Sequence, residues 1–237
     1  MEQRQRTRAA DELRPVRVTQ GYTEMTPGSV LIEVGRTRVL CTASIEQEVP
    51  RWLRGGKKGW VTAEYAMLPG SSSERIRRDG YMGGRAKEIS RLIGRSLRSV
   101  VRLEAMTEMV MRVDCDVLQA DGGTRCAAIT GAWIAMHDAF EEAVGRGQME
   151  SNPVIDRVAA ISVGLVNGEA RLDLDYEDDV AADVDMNVVM TGQGLLVEVQ
   201  GTAERVPFSR RDLNDLLDLA ESGIAELLDL QRQAAEA

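Results

Sequence analysis

Three stretches of this chain hold residue types that can grip a small anion or a cation. The first is Gln119-Ala120-Asp121-Gly122-Gly123-Thr124-Arg125. Adjacent glycines reach backbone angles closed to other residues, so consecutive N–H groups can be turned toward one point at the start of a helix. Arg125 falls in the expected first helical turn, where the partial positive charge of the helix favours Asp or Glu and a cation is misplaced by up to about 1 kcal/mol. A bound phosphate reverses that sign. Gly83-Gly84-Arg85 repeats the arrangement before another helical run. The third stretch, Glu177-Asp178-Asp179 with Asp183 and Asp185, places five carboxylates within nine residues. Such density is repulsive unless solvated or neutralised, and it suits Mg²⁺, which keeps several waters and takes one or two carboxylates plus a substrate phosphate. Taken singly, each stretch is also compatible with an ordinary turn or a solvated acidic surface.

Two loops add a different chemistry. Pro50 to Gly59 carries Arg51, Arg54, Lys57 and Lys58 beside Trp52, a combination of cations and a stacking ring that suits single-stranded nucleic acid. Pro69 to Gly84 is rich in Gly and Ser and has a cationic tip at Arg75, Arg77 and Arg78. Solvated loop cations would look the same.

The elements that must position these groups are legible as periodicities. Met109, Met111, Val113, Cys115 and Val117 alternate as in a strand with one buried face, and Ile129, Trp133, Met136, Phe140 and Val144 form the stripe of a helix. Gly28 to Gly35 and Arg38 to Ile45 predict a hairpin, and Trp60 to Leu68 another strand. A helix follows Gly84, with Ile89, Leu92, Ile93, Leu97, Val100 and Val101 on one face and Arg91, Arg95, Arg98 and Arg102 on another. Asn167-Gly168 marks a second hairpin, whose outgoing arm alternates from Glu169 to Tyr176. In the strand after the acidic stretch, Val184, Met186, Val188 and Met190 share one face, leaving Asp185 and Asn187 on the other. Leu195 to Val199 predicts one more strand, and Ser209 to Asp212 caps an amphipathic closing helix. Arg4, Arg6, Arg8, Arg14 and Arg17 belong to an N-terminal segment expected to lie over the surface. Strands and helices in blocks argue for α+β with largely antiparallel sheet, in a single domain over 1–237.

Composition narrows the function classes. Residues 1–112 hold 21 Lys+Arg against 13 Asp+Glu, and residues 113–237 hold 8 against 25, so the overall charge of −9 conceals a basic half and an acidic half. A basic half can follow a phosphate backbone while an acidic half holds a cation. No apolar run has membrane-spanning length and no signal-peptide core follows Met1. Cys41, Cys115 and Cys126 lack metal-site spacing and predict buried thiols in a reduced cytoplasm, and one histidine, His137, rules out a multi-histidine centre. Absence of G-x-x-x-x-G-K-[ST] argues against a P-loop nucleotide enzyme.

Together, Leu53-Arg54-Gly55-Gly56, Gly84-Arg85, the Gln119 to Arg125 turn, Val184-Asp185-Met186-Asn187 and Gln200-Gly201-Thr202 resemble bacterial ribonuclease PH, in family order over essentially the whole chain. The resemblance implies the ribosomal-protein-S5-domain-2-like fold (RNase PH fold) and a homohexamer built as a trimer of dimers. It implies a phosphate-dependent 3′-to-5′ exoribonuclease acting on tRNA precursors and other RNA 3′ ends. Arg85, Gly123, Thr124 and Arg125 would bind inorganic phosphate. Asp179 and Asp185 would be the catalytic and metal-binding pair for Mg²⁺ or Mn²⁺, with Arg54, Arg75, Arg77 and Arg78 on RNA. Gly70 departs from the family, where Arg is common, as do Ala86 and Cys126, where Thr is common. A catalytically silent ring subunit of the same fold is the competing expectation, and it would need neither the arginines nor the aspartates.

Overall fold

The computed structural model describes residues 8–47, 49–78 and 83–236. Its first sheet contains β1 (Val16–Gln20), β2 (Gly28–Val34), β3 (Thr37–Glu46), β4 (Trp60–Met67) and β5 (Val110–Gln119), in the order β1-β2-β3-β5-β4. The predicted hairpin pairs β2 with β3. β4 lies parallel to β5, with Trp60 beside Val110 and Met67 beside Val117. A parallel neighbour needs a long crossover, and α1 (Gly84–Arg98) supplies it, packing back on β4. The second sheet, in the order β7-β6-β8-β9, is antiparallel throughout and comprises β6 (Val158–Val166), β7 (Glu169–Leu172), β8 (Val184–Thr191) and β9 (Leu196–Ala203). Asn167 (φ 53°) and Gly168 (φ 79°) make the expected β6–β7 turn, both in the left-handed region that a two-residue hairpin requires. The α+β expectation holds.

Between the sheets runs α2 (Thr124–Gly145), which touches β2, β3 and β5 on one side and β6 and α4 (Arg210–Ala235) on the other. The predicted single stripe is therefore too narrow. Ala127, Ala128, Ala132, Ala135 and Ala139 are buried along with Ile129, Trp133, Met136 and Phe140, because small residues let the helix approach both sheets closely. Gly28 shows how close: a β-carbon there would lie 1.8 Å from the Ala135 carbonyl oxygen. α4 covers the second sheet through Leu216, Ala220, Ile224 and Leu227, and its N-terminus carries the predicted capping box of Ser209 and Asp212.

Other boundaries differ from the sequence reading for local reasons. α1 ends at Arg98, and Val101 leaves the helical face to form an antiparallel bridge with Val154. β7 stops at Leu172 rather than running to Tyr176, because Asp173 turns to φ 55°. β9 is longer than expected and reaches Ala203. The N-terminal segment does not simply lie over the surface: Arg14 is buried, with 7% of its area exposed. Arg4 and Arg6 fall outside the described residues.

Gly28→Ala should cost about 2–3 kcal/mol, since the opposing atoms are helix backbone and cannot rotate away. Urea unfolding followed by far-UV circular dichroism reads the loss as a lower midpoint, and an unchanged midpoint would refute the close packing of α2 on β2.

Candidate active site

β5 ends at Gln119, and the chain must then reverse to begin α2. Gly122 (φ 78°) and Gly123 (φ 64°) make that reversal in left-handed conformations. The turn has no room for side chains: a β-carbon on Gly122 would meet the Leu174 carbonyl oxygen at 2.4 Å. The Thr37 hydroxyl fixes it from the side, accepting from Asp121 N at 3.0 Å and donating to Gly122 O at 2.7 Å. No side chain caps α2 and no acid occupies its first turn, so the opening N–H groups of the helix face a cavity of about 240 Å³ with their partial positive charge unopposed.

That cavity brings together the residues singled out by spacing. Arg85 reaches it from the start of α1, Gly123, Thr124 and Arg125 from α2, Asp179 from α3 (Tyr176–Ala181) and Asp185 from β8. Convergence is electrostatic as well as spatial. Burial pushes the Asp179 carboxyl up, while the charges of Arg85 and Arg125 pull it back down. Burial also raises Asp185, and the neighbouring charge of Asp179 adds to the rise. Asp185 Oδ1 is buried without a hydrogen-bond donor among the described residues. Two neighbouring carboxylates, Asp179 at the exposed side and Asp185 partly buried with an orphaned oxygen, form a donor set that fits a hard divalent cation bound by oxygen. Among the described residues no group of three His, Cys, Asp or Glu could hold a metal, so such an ion would take its remaining ligands from water and substrate.

Several partners escaped the sequence reading. The Tyr65 hydroxyl meets Thr124 Oγ1 at 2.8 Å, locking the first α2 side chain. Strand alternation puts Tyr65 on the buried face of β4 with Val61 and Ala63, and a buried phenol needs a partner; that was the available signal. Arg125 hydrogen-bonds Gln200 of β9 and lies 3.5 Å from Glu88 Oε1. Cys126, pushed up to about 12 by burial, donates to Asn187 Oδ1 at 3.3 Å, so this thiol still supplies a donor where the resemblance has a hydroxyl.

Behind the cavity lies a buried ion pair. Arg14 Nε and Nη2 donate to the two carboxylate oxygens of Asp173 at 2.8 and 2.6 Å, its backbone N–H adds a third bond at 2.9 Å, and Nη1 donates to Asp121 O at 2.5 Å. Burial lowers the Arg14 pKa, but the hydrogen bond and charge of Asp173 outweigh it and the net shift is upward. Arg8 holds the same segment, donating to Leu172 O at 3.0 Å and Asp173 O at 2.9 Å.

The RNA-assigned arginines are not gathered equally. Ser71 accepts from Ala120 N at 2.7 Å and Ser72 lines the cavity, so the loop bearing exposed Arg75, Arg77 and Arg78 is rooted at the site; its residues 79–82 lie outside the described ones. Exposed Arg54 follows the 3-10 turn Arg51–Leu53, whose Trp52 ring packs edge-on against Trp60 at the start of β4, whereas it is Met67, at the other end of that roughly 23 Å strand, that lines the cavity. His137 stacks on Trp133 with centroids 5.3 Å apart, well along α2 from its start. Cys41 and Cys115 are free, buried thiols facing each other across β3 and β5.

Two family models match the chain: the 3′ exoribonuclease family, domain 1, over residues 12–140 and its domain 2 over residues 156–223. Among solved structures, the fold matches a chain of the Archaeoglobus fulgidus exosome with RNA bound to the active site, with TM-score 0.79 and 19% identity over 93% of this chain and 89% of that one. Rice (Oryza sativa) Rrp46 gives TM-score 0.80 and 19% identity over 98% and 99%. A chain of an archaeal exosome core gives 0.75 and 18% over 97% and 90%.

Asp185→Asn removes one of two repelling carboxylates, so it should raise the melting temperature at neutral pH by up to about 2 °C without added metal. The sign follows from the raised carboxyl: its favourable protonated state is lost as pH rises through the folded-state pKa, so the gain appears above that pKa and vanishes in acid. Mg²⁺ should stabilise the wild-type chain and not the variant; equal Mg²⁺ shifts in a melting assay would refute the cation site.

Proposed function

The chain belongs to the 3′ exoribonuclease family, and on that premise we propose that it shortens RNA from the 3′ end by phosphorolysis, as a bacterial ribonuclease PH does. One observation carries this reading. Arg85, Arg125 and the uncapped start of α2 share one cavity with Asp179 and Asp185, so an anion subsite and a carboxylate pair face each other.

Inorganic phosphate is already a nucleophile and needs placement rather than activation. Guanidinium groups of Arg85 and Arg125 grip its oxygens, and the N–H groups of the turn, with the Thr124 hydroxyl held by Tyr65, fix its orientation. A phosphate oxygen forms the new bond to the phosphorus of the terminal linkage, and the bond from that phosphorus to the 3′ oxygen breaks. The leaving oxygen takes its proton from one of the two aspartic acids, releasing a nucleoside diphosphate and RNA one residue shorter; the reverse reaction extends RNA. Asp179 and Asp185 would hold a divalent cation, Mg²⁺ or Mn²⁺, which would supply the positive charge that lets two phosphates approach. Arg75, Arg77 and Arg78, on the loop rooted at the cavity through Ser71 and Ser72, would steady the RNA backbone.

We assign tRNA precursors and other RNA 3′ ends as substrates, a homohexamer of three dimers as the assembly, and the cytoplasm as the compartment. In a ring, Arg54 would serve a neighbouring subunit's RNA path, since it stands away from the cavity of its own chain. A silent ring subunit is the second reading, suggested by likeness to exosome chains. Its cavity would not need both arginines and both aspartates.

RNA with a 3′ overhang should shorten only when inorganic phosphate is supplied, with diphosphates as products; monophosphates released without phosphate would overturn the assignment. Arg125→Ala should lower kcat/KM for phosphate about 10²–10³-fold. Size-exclusion chromatography should show its assembly unchanged.

A further inference from the structure

Arg14 has no place in the chemistry above, yet among the described residues its guanidinium, just behind the cavity, makes three directed bonds where Arg125 in the cavity wall makes two. It holds both oxygens of Asp173 and the Asp121 carbonyl at once, and a β-carbon on Gly123 would sit 3.0 Å from its Nη2. The two segments it joins are those that carry opposite halves of the site. Asp121 begins the glycine turn that aims the α2 N–H groups, and Asp173 begins the segment that leads through the Asp175 cap of α3 to Asp179. Gly122 packs on that same segment at Leu174 and Asp175. A shift of one segment against the other would move the anion donors relative to the carboxylates.

We propose that Arg14 is a positioning residue of the phosphate subsite, setting phosphate affinity by clamping the Asp121–Gly123 turn to Asp173. The proposal rests on the phosphorolytic reading given above. Planarity is what the position demands. Lysine keeps the charge and can reach one carboxylate oxygen, but it cannot span both oxygens and the carbonyl in fixed directions.

The test compares Arg14→Lys with the wild-type chain by two readouts, the thermal shift produced by inorganic phosphate and the steady-state kinetics of phosphorolysis. Arg14→Lys should fold, should need about tenfold or more phosphate for half its thermal shift, and should show the same rise in KM for phosphate. KM for RNA should stay within about twofold. Should Arg14→Lys fail to fold, the double variant Arg14→Gln with Asp173→Asn removes both buried charges together and is read in the same way. Unchanged phosphate saturation in a folded variant overturns the proposal, as does a uniform loss of activity that follows only the folded fraction. A wild-type chain that shows a phosphate shift but no phosphorolysis would refute the proposed function and leave the clamp standing; one that shows neither would refute both.

Discussion

The buried pair of Arg14 and Asp173 is the constraint on which the rest of the site depends. Removing two charges from water is costly, and such a pair holds only when geometry is good and the remaining hydrogen-bonding capacity is used. Here both carboxylate oxygens are taken, and the third arm of the guanidinium ends on a backbone carbonyl of the glycine turn. Loss of one partner would strand the other charge, at a cost of about 3–5 kcal/mol. The pair is therefore also a lock. It coincides with the end of β7 at Leu172, where Asp173 takes a left-handed conformation.

From that lock the two halves of the chemistry follow. On one side, glycines with no β-carbon let the turn settle against Leu174 and Asp175, and the start of α2 is left facing the cavity without a cap. On the other, α3 and β8 bring Asp179 and Asp185 close enough for each to be raised by burial, Asp185 further so by its neighbour's charge. The positive and negative groups come from different regions of the sequence, the basic 1–112 stretch joined by the start of α2 and the acidic remainder. A charge distribution that looked uneven along the chain is thus complementary across one cavity.

Local chemistry made much of this legible before any coordinates. Asn167-Gly168, the two glycine-arginine starts and the alternation of β5 and β8 each carry their geometry in neighbouring residues, and Asp185 was placed on the polar face of its strand by period alone. What stayed hidden depends on partners distant in sequence. Arg14 looks like any surface arginine until Asp173, 159 residues later, is brought to it. Glu88 and Gln200 become partners of Arg125 only when α1 and β9 meet at α2. The double-sided burial of α2 was missed because its second face, apart from Ile134, is built from Ala, Gly, Cys and Thr, which a hydrophobic stripe does not register. Arg54 grouped with the other arginines by motif, whereas the length of β4 sets it apart.

The 159-residue span between Arg14 and Asp173 also orders events on the ribosome. Protein chains emerge N-terminal end first, so the first sheet and its arginines leave the exit tunnel well before the segment that completes the pocket. A nascent chain still missing Asp173 has a basic surface but no carboxylate pair opposite it. The arginine side of the cavity is therefore synthesised before the carboxylates that face it, and the two meet only once Asp173 can reach Arg14.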